Sequence, residues 1–394
     1  VPTGRGSDGS GGSAGFGRLE GSDRLEGADG SDGSARDGAA GGPVLPASPG
    51  TDLPDPGPSP AVAPGTGLRG VVARWRDTLA GLPGRGLDRA RRLRREAGDD
   101  TATAVAPTVP RVAVVTDSTS CLTAVDAAAW GIDVVALDVA ADGTRYRDGV
   151  DLTPDDLAGL LASGRRVTTS QPPPAAFAAA YEAAAARGAA EVVSVHLSGE
   201  LSGTVRAAGL AAQLAPLPVH VVDARSAGSG LGFAAIAAAE AAQGDAWGGV
   251  PDGASVAAVA EQVGRSTAAW FVVDSLDHLR RGGRISGAAA AFGTVLGLRP
   301  VLTLRDGRIE VAERVRTRRA ARDRLHDLAV AEARRRGPGV RVAVQHLGRH
   351  DVAAELAERV RVDLALDEVL VREVGAVLGG HLGVGVLALT VVDR

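Results

Sequence analysis

Ser198, Ser202 and Thr204 fall in one short loop within VVSVHLSGELSGT, residues 192–204, between an apolar β-branched run and a stretch of helical composition. Such a loop presents hydroxyls, and the first N–H groups of the following helix, to a negatively charged group. Two other segments carry the same potential: Asp117, Ser118 and Thr119 after an apolar run, and Thr168, Thr169 and Ser170 ahead of three prolines. Each has a plainer reading. Ser202 or Thr204 can cap the next helix, Thr169 or Ser170 can cap the helix behind the prolines, and Asp117 reads best as a cap. His381, set among glycines, is either a partner for these hydroxyls or a satisfied loop histidine.

Other chemistries fit less well. Ser202, Asp223 and His381 are the residue types of a hydrolase triad, but Gly199-Glu200-Leu201-Ser202-Gly203 is not the G-x-S-x-G elbow. Gly228, Gly230 and Gly232 lack the spacing of a dinucleotide loop. His346 and His350 have no acidic cluster beside them, so no metal is expected. Lysine is absent, which removes a P-loop or Schiff-base lysine. Arg281 and Arg284 flank Gly282-Gly283 and are expected to tie that turn to Asp274 or Asp277. Arg314, Arg316, Arg318 and Arg319 read by default as a solvated basic face.

These residues need a scaffold, and composition bounds it. The chain has 394 residues, 45% hydrophobic and 23% charged, with a formal net charge of -4, so no basic field argues for nucleic acid. The single cysteine, Cys121, excludes an internal disulfide framework. No apolar run of membrane-spanning length and no signal peptide is recognisable, so a cytoplasmic protein is expected. Missing lysine, asparagine and methionine point to GC-rich bacterial coding, with Val1 read from a GTG start. Residues 1–105 read as a disordered, low-complexity extension and linker, within which Val71 to Glu96 is an arginine-rich segment broken by Pro83, Gly84 and Gly86.

From Arg111 strands and helices alternate: strands begin at Arg111, Ile132 (to Val139), Val192 and Val219, and helices cover Asp155 to Leu161, Ala175 to Arg187, Val205 to Leu214 and Phe233 to Gln243. That rhythm predicts a doubly wound parallel α/β domain over 111–267, in which ligands sit at the carboxyl ends of strands, where the three hydroxyl loops converge. Thr168 to Pro174 and Gly379 to Gly385 read as loops. Over 268–394 the pattern predicts a separate mixed-sheet α/β domain with helices on one side, including a hairpin around Asp306-Gly307.

Several motifs, in order, resemble the DegV family of bacterial fatty-acid-binding proteins: Thr116 to Thr119 (TDST), Asp148 to Leu152 (DGVDL), Thr169 to Pro172 (TSQP), Leu201 to Thr204 (LSGT), the GGRIS ending of Asp274 to Ser286, Arg299-Pro300, Asp306-Gly307, Arg316-Thr317 and His381 to Gly385. The resemblance spans residues 111–394. It implies a two-domain α/β fold, an N-terminal parallel three-layer α/β/α domain and a C-terminal mixed-sheet α/β domain, with one long-chain fatty acid between them. It implies that Thr169, Ser170 and Ser202 hold the carboxylate, with His381 beside it. It further implies that Arg316 docks a separate fatty acid kinase subunit that supplies ATP, leaving this chain without catalytic residues, metal or cofactor. Where the family often has a second serine, an aromatic and a glutamine, this chain has Gly199, Val205 and Arg206; Leu382 replaces a frequent threonine.

A 16-carbon chain offers on the order of 10 kcal/mol by burial, against about 1–3 kcal/mol for each hydrogen bond to its carboxylate. The tunnel then sets affinity and the hydroxyls set orientation. With aromatics at 3%, its wall is expected to be Leu, Val, Ile and Ala. Two alternatives from other classes stand beside this one: a serine esterase or thioesterase using Ser202 and His381, and a lipid-sensing regulator whose Val71 to Glu96 segment makes transient contact with a membrane or partner.

Overall fold

A computed structural model of the chain describes residues 111–244, 251–285 and 298–394. The readings made for residues 1–105, and for Ser286, lie outside the described residues. The first half runs β1 (Val112–Asp117), α1 (Ala124–Trp130), β2 (Ile132–Val135), β3 (Asp138–Ala141), β4 (Thr144–Arg147), α2 (Pro154–Ala162), β5 (Val167–Ser170), α3 (Pro174–Ala186), β6 (Glu191–His196), α4 (Thr204–Ala212), β7 (Val219–Asp223), α5 (Ser229–Ala242) and α6 (Gly253–Ser266). The second runs β8 (Ala268–Val272), α7 (Asp277–Arg281), β9 (Arg299–Arg305), β10 (Arg308–Val315), α8 (Arg318–Arg336), β11 (Val340–His346), α9 (His350–Asp363), β12 (Leu370–Glu373), α10 (Ala376–Leu382) and β13 (Leu387–Asp393).

A parallel sheet has the order β2-β1-β6-β7. All six residues of β1 are buried because both sheet faces are covered. Alternation divides them. Val112 and Val114 join Val193, Val195, Leu231 and Ala235 in one core, whereas Ala113 and Val115 join Phe177, Tyr181, Ala207 and Ala208 in another. The layers are therefore α5 and α6, sheet, and α3 and α4. Strand order reverses at β1, so the carboxyl ends of β1 and β6 flank the crevice favoured for ligands.

The second sheet is mixed, ordered β10-β9-β8-β13-β11-β12. Helices α8 and α9 cover one face through a core that includes Leu325, Ala329, Leu356, Val344 and Leu389. The opposite face supplies Phe271 and Leu302 to the larger core shared with the first sheet. Asp306 and Gly307 both take positive φ, 48° and 81°, in the β9–β10 hairpin turn. Both sheets lie in one compact unit. Among the described residues, no helix is long and apolar enough to cross a membrane.

Three local expectations are corrected. The run Ile132 to Val139 is not one strand: β2 stays in the parallel sheet, and the chain then turns away so that β3 enters a small antiparallel sheet ordered β4-β3-β5. The Thr168 to Pro174 segment is a loop only from Gln171, because Thr168, Thr169 and Ser170 pair with β3 as β5. Gly379 to Leu382 is helical, the end of α10. Helix α6 lies where no element had been expected.

Candidate functional site

A cavity of about 950 Å³ opens at the crevice beside the carboxyl end of β6. That space includes the open solvent at its mouth. Its wall is mostly apolar, with Leu137, Leu197, Leu201, Leu279, Leu378 and Phe271 among the lining residues. Phe271 corrects the expectation of a purely aliphatic wall. The polar members Thr169, Ser170, Gln171, Ser202, Arg284, Gln345, His381 and Thr390 come from separate segments.

Pairing with β3 fixes the first of these segments. Along β5 burial alternates, so Thr169 is half-buried and Ser170 is exposed. The Thr169 hydroxyl and His381 Nε2 are hydrogen-bonded at 2.7 Å, joining residues 212 positions apart. Neither Thr169 nor Ser170 caps α3, whose N-cap is Pro173.

The second segment is held from below. Ser198 is fully buried; its hydroxyl donates to the Gly307 carbonyl at 2.8 Å and accepts from the Glu200 N–H at 3.2 Å. It therefore anchors the loop to the β9–β10 turn. Gly307 permits this approach, since a Cβ there would sit 2.2 Å from Ser198 Oγ. Ser202 is half-buried, and its Oγ lies 2.8 Å from Thr204 Oγ1. Gly203 is the N-cap of α4 without a side-chain cap, so neither Ser202 nor Thr204 caps that helix.

Asp117 caps the turn Ser118–Ser120 by accepting from the Thr119 N–H at 3.0 Å. Its other oxygen accepts from the Leu197 N–H at 3.1 Å and lies 3.0 Å from His196 Nδ1. His196 Nε2 in turn lies 2.7 Å from Ser194 Oγ, to which the Tyr181 hydroxyl donates at 2.9 Å. Asp117, His196 and Ser194 are wholly buried. This network, which the sequence reading missed, satisfies buried polar groups and fixes the carboxyl ends of β1 and β6.

His381 occupies the last turn of α10. Burial first, then the neighbouring Arg284 and His278 charges, lower its pKa to about 4. It is neutral at pH 7. Gly282 lets the imidazole approach, because a Cβ there would be 2.3 Å from His381 Nδ1. Arg284 donates from Nε to the Leu201 carbonyl at 3.1 Å and also to the Gly282 carbonyl. It does not tie the turn to Asp274 or Asp277, and Arg281 meets His278 at 3.4 Å, so that expectation is corrected. Arg284 brings a permanent positive charge into the cavity wall. Its GGR setting was visible, but nothing local told which way the side chain turned.

The structure thus brings Thr169, Ser170, Ser202 and His381 to one cavity and leaves Arg316 apart, exposed between β10 and α8. It does not assemble the Ser202–His381–Asp223 chain. Asp223 accepts from the Gly199 N–H at 3.1 Å and the Arg225 N–H at 2.8 Å, while His381 Nε2 faces Thr169. No group of His, Cys, Asp and Glu suited to a metal occurs among the described residues.

Comparison with known proteins gives one consistent relationship. The profile of the DegV family, described as an uncharacterised protein family, matches residues 111–394. A DegV domain-containing protein of Streptomyces coelicolor is 45% identical over 284 residues, covering 72% of this chain and 99% of that protein. Among solved structures, a fatty-acid-binding DegV family protein from Thermus thermophilus aligns with a TM-score of 0.65 at 38% identity, covering 72% of this chain and 100% of its own. DegV from Bacillus subtilis, a fatty acid binding protein, aligns with a TM-score of 0.66 at 31% identity, covering 72% and 99% respectively.

Proposed function

Because the chain belongs to the DegV family, we propose that it binds one long-chain fatty acid in this cavity, with the carboxylate among Thr169, Ser170, Ser202, Arg284 and His381. The observation that carries the reading is the wall itself: it is largely apolar, and Thr169, Ser170, Ser202, Arg284 and His381 are among its few polar members, beside Gln171, Gln345 and Thr390. The fatty-acid-binding relatives in Thermus and Bacillus support the same ligand class. Apolar burial would supply most of the affinity, on the order of 10 kcal/mol for a 16-carbon chain before ordering costs. Arg284 would supply charge complementarity and the hydroxyls orientation.

In this reading the chain does no bond-breaking chemistry. It shields the acyl chain and offers the carboxyl group to a separate kinase subunit, with exposed Arg316 as part of the docking surface. Residues 111–267 and 268–394 act as two halves around the ligand, and residues 1–105 stand outside the binding body. Titration of the delipidated protein with a fluorescent fatty acid tests the site. Saturable binding displaced by palmitate is expected, whereas Ser202-dependent hydrolysis of an acyl ester without fatty acid binding would reverse the assignment to the esterase alternative.

A further inference from the structure

Four arginines surround a second cavity, on the helix-covered face of the mixed sheet, apart from the acyl site. Arg299 at the start of β9, Arg318 and Arg322 in the first turn and a half of α8, and Arg349 at the N-cap of α9 line it, with Asp274 as its one carboxylate. Asp274 lies 3.8 Å from Arg299, 3.2 Å from Arg318 and 3.4 Å from Arg349. One negative charge is therefore shared by three positive ones. Arg322 makes no hydrogen bond or ion pair among the described residues, although it is only half-exposed. Asp323, in the adjoining hollow, is already shared by Arg319 and Arg359.

This arrangement works against local stability. Cations are unfavourable at helix N-termini, where the backbone dipole is already positive, yet the wall draws Arg318 from the first position of α8 and Arg349 from the N-cap of α9, the latter offset by Asp351 in its first turn. Helix α8 has no acidic residue in its first turn to offset them. Asp274 offsets part of this excess, but Arg322 has no compensating contact among the described residues, and such departures from a local rule are characteristic of functional sites. Two helix N-termini and an excess of guanidinium groups favour the same occupant, a multiply charged oxyanion. The floor is apolar, with Val272, Ala321, Val352 and Leu387, so it also accepts carbon next to the anion. Gly385 leaves room for Asp274, since a Cβ there would lie 2.5 Å from its Oδ2.

We propose that this arginine cavity is a binding site for a phosphate-class dianion, either inorganic phosphate or the phosphoryl group of a small organic phosphomonoester. Calorimetric titration of the full chain at low ionic strength, with inorganic phosphate in one arm and phenyl phosphate in the other, tests it. Saturable one-site binding is expected in at least one arm. Equal affinities identify the free oxyanion, and tighter phenyl phosphate identifies an organic phosphate that uses the apolar floor; both support the site. Arg322→Gln should weaken binding about tenfold, as expected for a lost charge-assisted hydrogen bond. Because Arg322 supports no ion pair among the described residues, its melting temperature and its fatty acid binding should be unchanged. Arg349→Gln should weaken binding similarly. Absence of saturable binding in both arms, or binding that Arg322→Gln and Arg349→Gln leave intact, overturns the proposal.

Discussion

Thr169 and His381 form the hydrogen bond on which the candidate carboxylate site turns. Replacing Thr169 with valine removes that partner while keeping the side chain's shape; together with Ser202→Ala it should weaken fatty acid affinity about tenfold or more, read by displacement titration. His381 adds a pH signature. Its folded-state pKa of about 4 lies below the ordinary histidine value of about 6.5. Its contribution to stability is therefore complete above the ordinary value and is lost as pH falls through that window toward 4. A bound carboxylate favours the imidazolium, so the His381 pKa should rise above about 4 on loading and affinity should increase as pH falls through the loaded-state value, until the ligand's own carboxylate protonates. NMR titration of His381 in empty and loaded protein checks this; an identical titration in both would place the carboxylate elsewhere. The family resemblance of the motifs nominated Thr169, Ser202 and His381; residue types alone left them open between ligand contacts and plain caps or a loop histidine. The Arg284 orientation was not legible, because it depends on a carbonyl at Leu201 far along the chain.

At the scale of elements, alternation of β-branched runs with alanine-rich helices marked the parallel layer, and Asp306-Gly307 marked the hairpin. Two polar or glycine-rich pieces misled. Thr168 to Pro174 has the look of a loop, but pairing with β3 makes Thr168 to Ser170 part of a strand. Helix α10 contains Gly379 and Gly380, poor helix formers. Contact favours them: a Cβ at Gly379 would lie 2.4 Å from Leu157 Cδ2 and 2.9 Å from Leu347 Cδ2, and one at Gly380 would fit tightly, 3.3 Å from Val167 Cγ1. Close packing against α2 and β5, which no local propensity encodes, thus carries His381 to Thr169. Gly282 completes the fit from α7. Gly282→Ala should push the imidazole away from Thr169 and lower fatty acid affinity about tenfold, comparable with losing a hydrogen bond to a charged group; unchanged affinity would show that the His381 position is immaterial. Thr153→Ala, which breaks the capping box with Asp156 at the start of α2, should cost about 1 kcal/mol in chemical denaturation.

For the whole molecule, the Streptomyces relative is matched over 99% of its length by this chain's DegV region alone. A chain beginning at residue 106 should therefore fold and bind fatty acid as the full chain does. If deletion instead alters membrane or partner association, the sensor alternative gains support without affecting the acyl site. Arg316→Glu should leave fatty acid binding intact and abolish ATP-dependent phosphorylation of the bound acid when a fatty acid kinase ATP-binding subunit is added; an unaffected rate would remove Arg316 from the docking surface.

Mass spectrometry of the purified full chain under native and denaturing conditions reads directly whether one fatty acid is bound. A native mass that exceeds the polypeptide by one fatty acid, released on denaturation, is expected, with a marked loss of that species when Ser202 and Thr169 are replaced together. A protein that arrives empty, and remains empty after incubation with palmitate, would contradict fatty acid binding.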